Sequence, residues 1–159
     1  MEHQDLLHTI SEIAAALVGF SGIVVSIGHR EAFSSQEVRR FLVMLRAGFS
    51  ALFLGLLPQI VCLFIQDEWV WQTALCVLAL LMFSNLYNFW RRGRFGTMHV
   101  TQLYMFPPGV VIASCAALAA AGFIPGPDKV YIVALVWMLI IASQNFVLLL
   151  MDSISVKDD

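Results

Sequence analysis

Residues 130–151 read VYIVALVWMLIIASQNFVLLLM, a stretch without a single charge. A helix rises about 1.5 Å per residue, so as a helix it would be about 33 Å long, against about 30 Å for the hydrocarbon core of a bilayer. The apolar residues run continuously instead of alternating, which excludes a barrel strand. Backbone amides find no water partner in lipid, so an open strand or loop there is excluded as well. The stretch predicts a membrane-spanning helix over about Val130–Met151.

The rest of the chain repeats this pattern. Further uncharged runs cover Ile13–Gly28, Ala47–Gln66, Trp69–Trp90 and Phe95–Pro127. They predict helices over about Leu6–Gly28, Ser35–Gln66, Trp69–Trp90 and Pro107–Ile124. Ser34, Ser35, Gln36 and Glu37 have the form of a capping box at the start of the second, and Pro58 falls inside it. Pro107 and Pro108 suit the first turn of the fourth. That helix is rich in alanine (Ala113, Ala116, Ala117, Ala119, Ala120 and Ala121), which predicts a helix buried among the others, with a re-entrant hairpin as the alternative. Trp69, Trp71 and Trp90 lie near the ends of the third, as in an interfacial belt. Pro125, Gly126 and Pro127 make a tight turn that sets the last two helices antiparallel. The expected fold is all-α, a polytopic transmembrane helical bundle with five spans in one domain covering residues 1–159.

Composition agrees. Of 159 residues, 60% are hydrophobic and 13% charged, with nine Lys/Arg against eleven Asp/Glu. Mean hydropathy is +0.83. An ordinary soluble domain carries roughly 25% charged residues. So few charges cannot cover so much apolar surface in water, which excludes a soluble globular protein, a disordered chain and a nucleic-acid binder. The bilayer is the expected partner.

Basic residues are retained on the cytoplasmic side. Arg30, Arg39 and Arg40 follow the first span, and Arg91, Arg92 and Arg94 follow the third. The Asp67–Glu68 link has no basic residue, and the last link has only Lys129. Five spans then place the N-terminus outside and the C-terminus in the cytoplasm. The start, Met1 to Asp5, lacks the basic segment of a cleaved signal peptide.

Polar residues in lipid are costly, so those inside the spans are the candidate functional groups. His8, Glu12, Ala15, Gly19, Gly22, Ser26 and His29 recur at helical spacing on the first span. Glu12 is a candidate carboxylate near the outer interface, in reach of His8 at i−4. Ala15, Gly19, Gly22 and Ser26 form a small-residue stripe that would let another helix approach closely. Arg46 lies six residues past Arg40, about 9 Å deeper along a helix. It either snorkels back to the headgroups or joins an inner polar cluster with Asn85, Asn88, Gln144, Asn145 and Asp152, which could satisfy its five donors.

No catalytic constellation is visible. Gly19-Phe20-Ser21-Gly22 has the GxSG form that rhomboid proteases place around their nucleophile, but a serine needs a base in reach, and His3, His8, His29 and His99 all fall in or beside links. HExxH and P-loop motifs are absent. Cys62, Cys76 and Cys115 have no paired spacing, so neither a disulfide nor a metal site is expected. No cofactor is expected.

The segment Glu12–Val25, followed by an arginine-bearing link and a long proline-containing second helix, resembles small uncharacterised bacterial integral membrane proteins. The resemblance covers mainly residues 12–60. It implies a compact helical protein of the bacterial inner membrane and brings no activity, cofactor or site residue with it. The expected role is a structural or interaction subunit, not an enzyme, that assembles through its first helix with a second copy or another membrane protein. The alternatives are a small oligomeric channel or transporter lined by the inner polar cluster and, less favoured, an intramembrane enzyme.

Overall fold

A computed structural model describes residues 3–28, 35–65, 67–93 and 100–155. They form an all-α helical bundle of five helices: α1 (Gln4–Gly28), α2 (Ser35–Val61), α3 (Asp67–Gly93), α4 (Val100–Ala120) and α5 (Pro127–Ser155). Four of them contain a stretch long and apolar enough to cross a membrane: Gln4–Ile23, Arg40–Val61, Trp69–Asn88 and Pro127–Met151. In α4 that stretch is shorter, Phe106–Ala120, about 22 Å at 1.5 Å per residue.

The helix ends differ from the sequence reading where glycine and proline act. α4 starts at Val100, so Pro107 and Pro108 lie within it and do not open it. Such prolines are tolerated in membrane helices because neighbouring helices and local adjustment re-satisfy the freed carbonyls. α4 ends at Ala120, before the expected Ile124, in a Schellman motif. Gly122 takes φ +82°, the Phe123 N–H donates to the Leu118 carbonyl at 2.9 Å, and the Gly122 N–H donates to that of Ala119 at 3.1 Å. α5 then starts at Pro127, a residue with no N–H to leave orphaned in a first turn. The Gly126 carbonyl receives the Lys129 and Val130 N–H groups at 3.1 and 3.4 Å.

α2 stops at Val61, a turn short of Gln66. After Pro58 the chain tightens into i→i+3 bonds, Leu63 N–H to Ile60 O at 3.2 Å and Phe64 N–H to Val61 O at 3.0 Å, the usual way a helix end uses its last carbonyls. α3 starts at Asp67. The proposed capping serine, Ser34, lies outside the described residues.

The chain divides into two compact units, Met1–Leu56 with Leu135–Asp159, and Leu57–Ala134. In the first, α1 buries Leu7, Ile10, Ser11, Ala14 and Ser21, spaced three or four apart. α2 buries Arg40, Met44, Gly48, Ala51, Leu54 and Gly55 at the same spacing. α5 contributes Leu135, Met138, Ala142 and Leu149.

The α1–α2 contact depends on two glycines of α2. A Cβ at Gly48 would lie 2.8 Å from Val18 Cγ2. One at Gly55 would overlap Ser11 Oγ and stand 3.3 Å from the Leu7 carbonyl oxygen. In lipid no hydrophobic effect drives helices together, so backbone approach of this kind supplies the dispersion contact that does.

In the second unit α3 and α4 pack on each other. α3 buries Val70, Ala74, Leu75, Leu78 and Met82, and α4 buries Gly109, Ala113, Ala116 and Ala119. The alanines of α4 therefore serve one face only. Val111 and Leu118, on its other side, are exposed. Trp71 and the fully buried Tyr131 meet edge to face, ring centroids 5.8 Å apart at 66°, tying the start of α3 to the start of α5.

Candidate functional site

Two faces of the first unit carry the candidate groups. On α1, His8, Glu12, Ala15, Gly19 and Gly22 are all exposed, on the side opposite the Leu7–Ser11–Ala14 face that packs on α2. A Cβ built at Gly19 or Gly22 would meet nothing within 4 Å. Within its own unit, the face at Gly19 and Gly22 thus meets no helix among the described residues, and large side chains border it: Ile13, Phe20 and Ile23 are about half exposed. The Ser26 side chain lies outside the described residues.

Glu12 Oε1 stands 3.5 Å from His8 Nε2, one turn earlier on the same face, and both side chains are about two-thirds exposed.

On α2 the two arginines separate. Arg40 falls in register with Met44, Gly48 and Ala51, is 6% exposed, and is engaged with a neighbour. Charge alone groups it with Arg30 and Arg39 in the first link. What could have located it is its spacing, since Arg40, Met44, Gly48, Ala51, Gly55 and Pro58 follow one another every three or four residues. Arg46 falls on the opposite side, in register with Leu42, Phe49 and Phe53. It is exposed, and no hydrogen bond or ion pair engages it among the described residues. Phe49 and Phe53 stack beside it, centroids 6.3 Å apart at 19°.

The other polar candidates are half-buried. In α5, Asn145 Nδ2 donates to the Ile141 carbonyl at 2.8 Å, so the amide is used on its own helix. Gln144 lies beside it, and the Asp152 side chain is outside the described residues. Asn85 and Asn88 belong to the second unit, Asn85 continuing the register of Leu78 and Met82 toward the end of α3. Among the described residues of its own unit, Arg46 shares no hydrogen bond with Gln144 or Asn145.

Ser21, the serine of the GxSG stretch, is 1% exposed and donates to the Val18 carbonyl at 2.5 Å. Ser11 likewise donates to the Leu7 carbonyl, at 3.0 Å. Two buried polar atoms, Gln72 Oε1 and Trp137 Nε1, have no hydrogen-bond partner among the described residues, and they belong to different units. No group of His, Cys, Asp or Glu among the described residues is arranged to hold a metal ion.

No protein family, curated protein or solved structure matches the chain. The fold and its exposed faces define the class: an all-α bundle with four helices long and apolar enough to cross a membrane.

Proposed function

We propose that the chain is an integral membrane subunit with a structural or interaction role, which assembles with a second copy or another membrane protein through the exposed small-residue face of α1. One observation supports the reading above the others: Gly19 and Gly22 sit on an exposed face where an added Cβ meets nothing, while the face behind them is packed. Glycine costs about 0.8–1.0 kcal/mol relative to alanine inside a helix. Facing acyl chains, that cost has no return. Facing another helix, it allows the backbone approach that drives association in lipid.

In this reading the protein lies in the inner membrane of a bacterium, N-terminus outside and C-terminus in the cytoplasm, with the arginines around the start of α2 and the end of α3 on the inner side. His8 and Glu12 then flank the contact at its outer end.

Copy number and co-assembly in liposomes test the proposal. The wild type is expected to carry a second subunit, and Gly19→Leu to release it while the melting transition of the single chain stays unchanged. A wild type that is a lone monomer in lipid overturns the reading. So does a Gly19→Leu protein that assembles as before.

A further inference from the structure

We propose that the exposed face of α2 around Arg46 is a binding site for the phosphodiester headgroup of an anionic phospholipid, with the acyl chains along Leu42, Phe49 and Phe53. The inference rests on α2 crossing the bilayer and is independent of assembly through α1.

The argument begins with a charge in an expensive place. Arg46 lies within the apolar stretch Arg40–Val61, about 9 Å inside its N-terminal end. A guanidinium stays charged under all ordinary conditions, so burial cannot neutralise it. Its side chain is exposed, and the described residues supply it with no anion, which leaves its exposed face open to an external one.

Geometry then selects the headgroup. Every Cα–Cβ bond in a helix tilts toward the N-terminus, so the Arg46 side chain starts toward the nearer membrane surface, where long cationic side chains snorkel. The planar fork of the guanidinium matches two phosphate oxygens at once.

The neighbours distinguish lipid from a protein partner. Helix contacts in membranes favour small residues. Around Arg46 the exposed residues are large: Leu42 is 55% exposed, Phe49 44% and Phe53 64%, with the two rings stacked. Such a face suits acyl chains and resists close approach by a helix, whereas Gly19 and Gly22 of α1 present the reverse. No carboxylate shares the Leu42–Arg46–Phe49–Phe53 register to receive the ammonium of a zwitterionic headgroup, so a net anionic lipid is favoured.

The test is native mass spectrometry of the full chain in mild detergent, titrated with phosphatidylglycerol and with phosphatidylcholine of identical acyl chains. The wild type is expected to prefer phosphatidylglycerol roughly fivefold, which corresponds to the ~1 kcal/mol one basic residue contributes at an anionic surface. Arg46→Gln should bring the ratio to about one, Arg46→Lys should retain part of it, and Arg91→Gln, at another exposed arginine, should leave it unchanged. Soluble glycerophosphate should not compete, because it lacks the chains that Phe49 and Phe53 would hold. Gly19→Leu should keep the preference even where assembly through α1 is lost. Equal affinity of the wild type for the two lipids overturns the proposal without recourse to any variant. A preference that survives Arg46→Gln also overturns it, as does an Arg46→Gln protein whose copy number falls while its lipid ratio holds, since a protein carboxylate would then occupy the face.

Discussion

Replacing Gly55 with alanine adds one methyl group at the tightest point of the α1–α2 contact. Its Cβ would overlap Ser11 Oγ, stand 3.3 Å from the Leu7 carbonyl oxygen and lie 3.5 Å from Ser11 Cβ. Only the hydroxyl can yield, and it is tied to the Leu7 carbonyl at 3.0 Å. Turning it away gives up a buried hydrogen bond, about 1 kcal/mol. Separating the helices instead costs about 1–3 kcal/mol of packing. Against either stands the helix-propensity gain of alanine over glycine, about 0.8–1.0 kcal/mol. Because the Leu7 carbonyl oxygen at 3.3 Å remains in the way once the hydroxyl has turned, both costs apply, and the balance is a destabilisation of about 1–3 kcal/mol.

The diagnostic is the double variant. Ser11→Ala alone removes only a bond to its own helix and should cost less than about 1 kcal/mol. In the Gly55→Ala background it removes the colliding atom and leaves the two Cβ atoms at an ordinary 3.5 Å, so there it should stabilise. Reversible unfolding in mixed micelles, followed by circular dichroism and tryptophan fluorescence, gives the four free energies of the cycle. A Gly55→Ala protein within 0.5 kcal/mol of wild type, or a Ser11→Ala change that fails to rescue it, would refute the geometry.

Gly122→Ala should cost about 1 kcal/mol, because the left-handed backbone at φ +82° penalises a Cβ although nothing stands within 4 Å of it; thermal unfolding measures this directly. Arg40→Ala should lower the unfolding midpoint by the equivalent of about 2 kcal/mol, through lost stem packing and an abandoned neighbour, whereas Arg46→Ala should stay within about 0.5 kcal/mol; equal effects would contradict the assignment of the two arginines to opposite faces. Reporter fusions at the two termini should report opposite compartments if α4 crosses, since its uncharged helix is about 31 Å long even though its most apolar part is about 22 Å; a shared compartment would make α4 re-entrant and reverse the C-terminus.

The helices were legible in the sequence because charge-free length in lipid has one structural solution. Their ends were less so. Pro107 and Pro108 read as a helix start, since proline suits a first turn, but the uncharged residues before them extend the helix back to Val100. The Ala121–Ile124 stretch reads as helix by hydropathy, yet Gly122 can take a positive φ and end it, a choice that hydropathy does not register. α2 likewise looked continuous to Gln66, and the i→i+3 bonds beyond Pro58 close it at Val61.

Which small residues meet inside the chain was not legible, for a physical reason. Close approach of two helices requires only one of them to lack side chains at the crossing; the other supplies the knobs. On α1 the prominent stripe is Ala15, Gly19 and Gly22, but the helix packs by Leu7, Ser11, Ala14 and Val18, because α2 already supplies the hollows at Gly48 and Gly55. A second glycine face on α1 is then surplus to the internal contact, and its exposure is what distinguishes it. The same reasoning separates the arginines of α2. Arg40 shares the face whose glycines admit α1 and is covered, whereas Arg46 shares the face of Phe49 and Phe53, whose bulk resists a helix and where we propose a headgroup phosphate as its anion. Side-chain size therefore sorts the exposed faces by solvent: the glycines of α1 suit a helix, and the phenylalanines of α2 suit lipid.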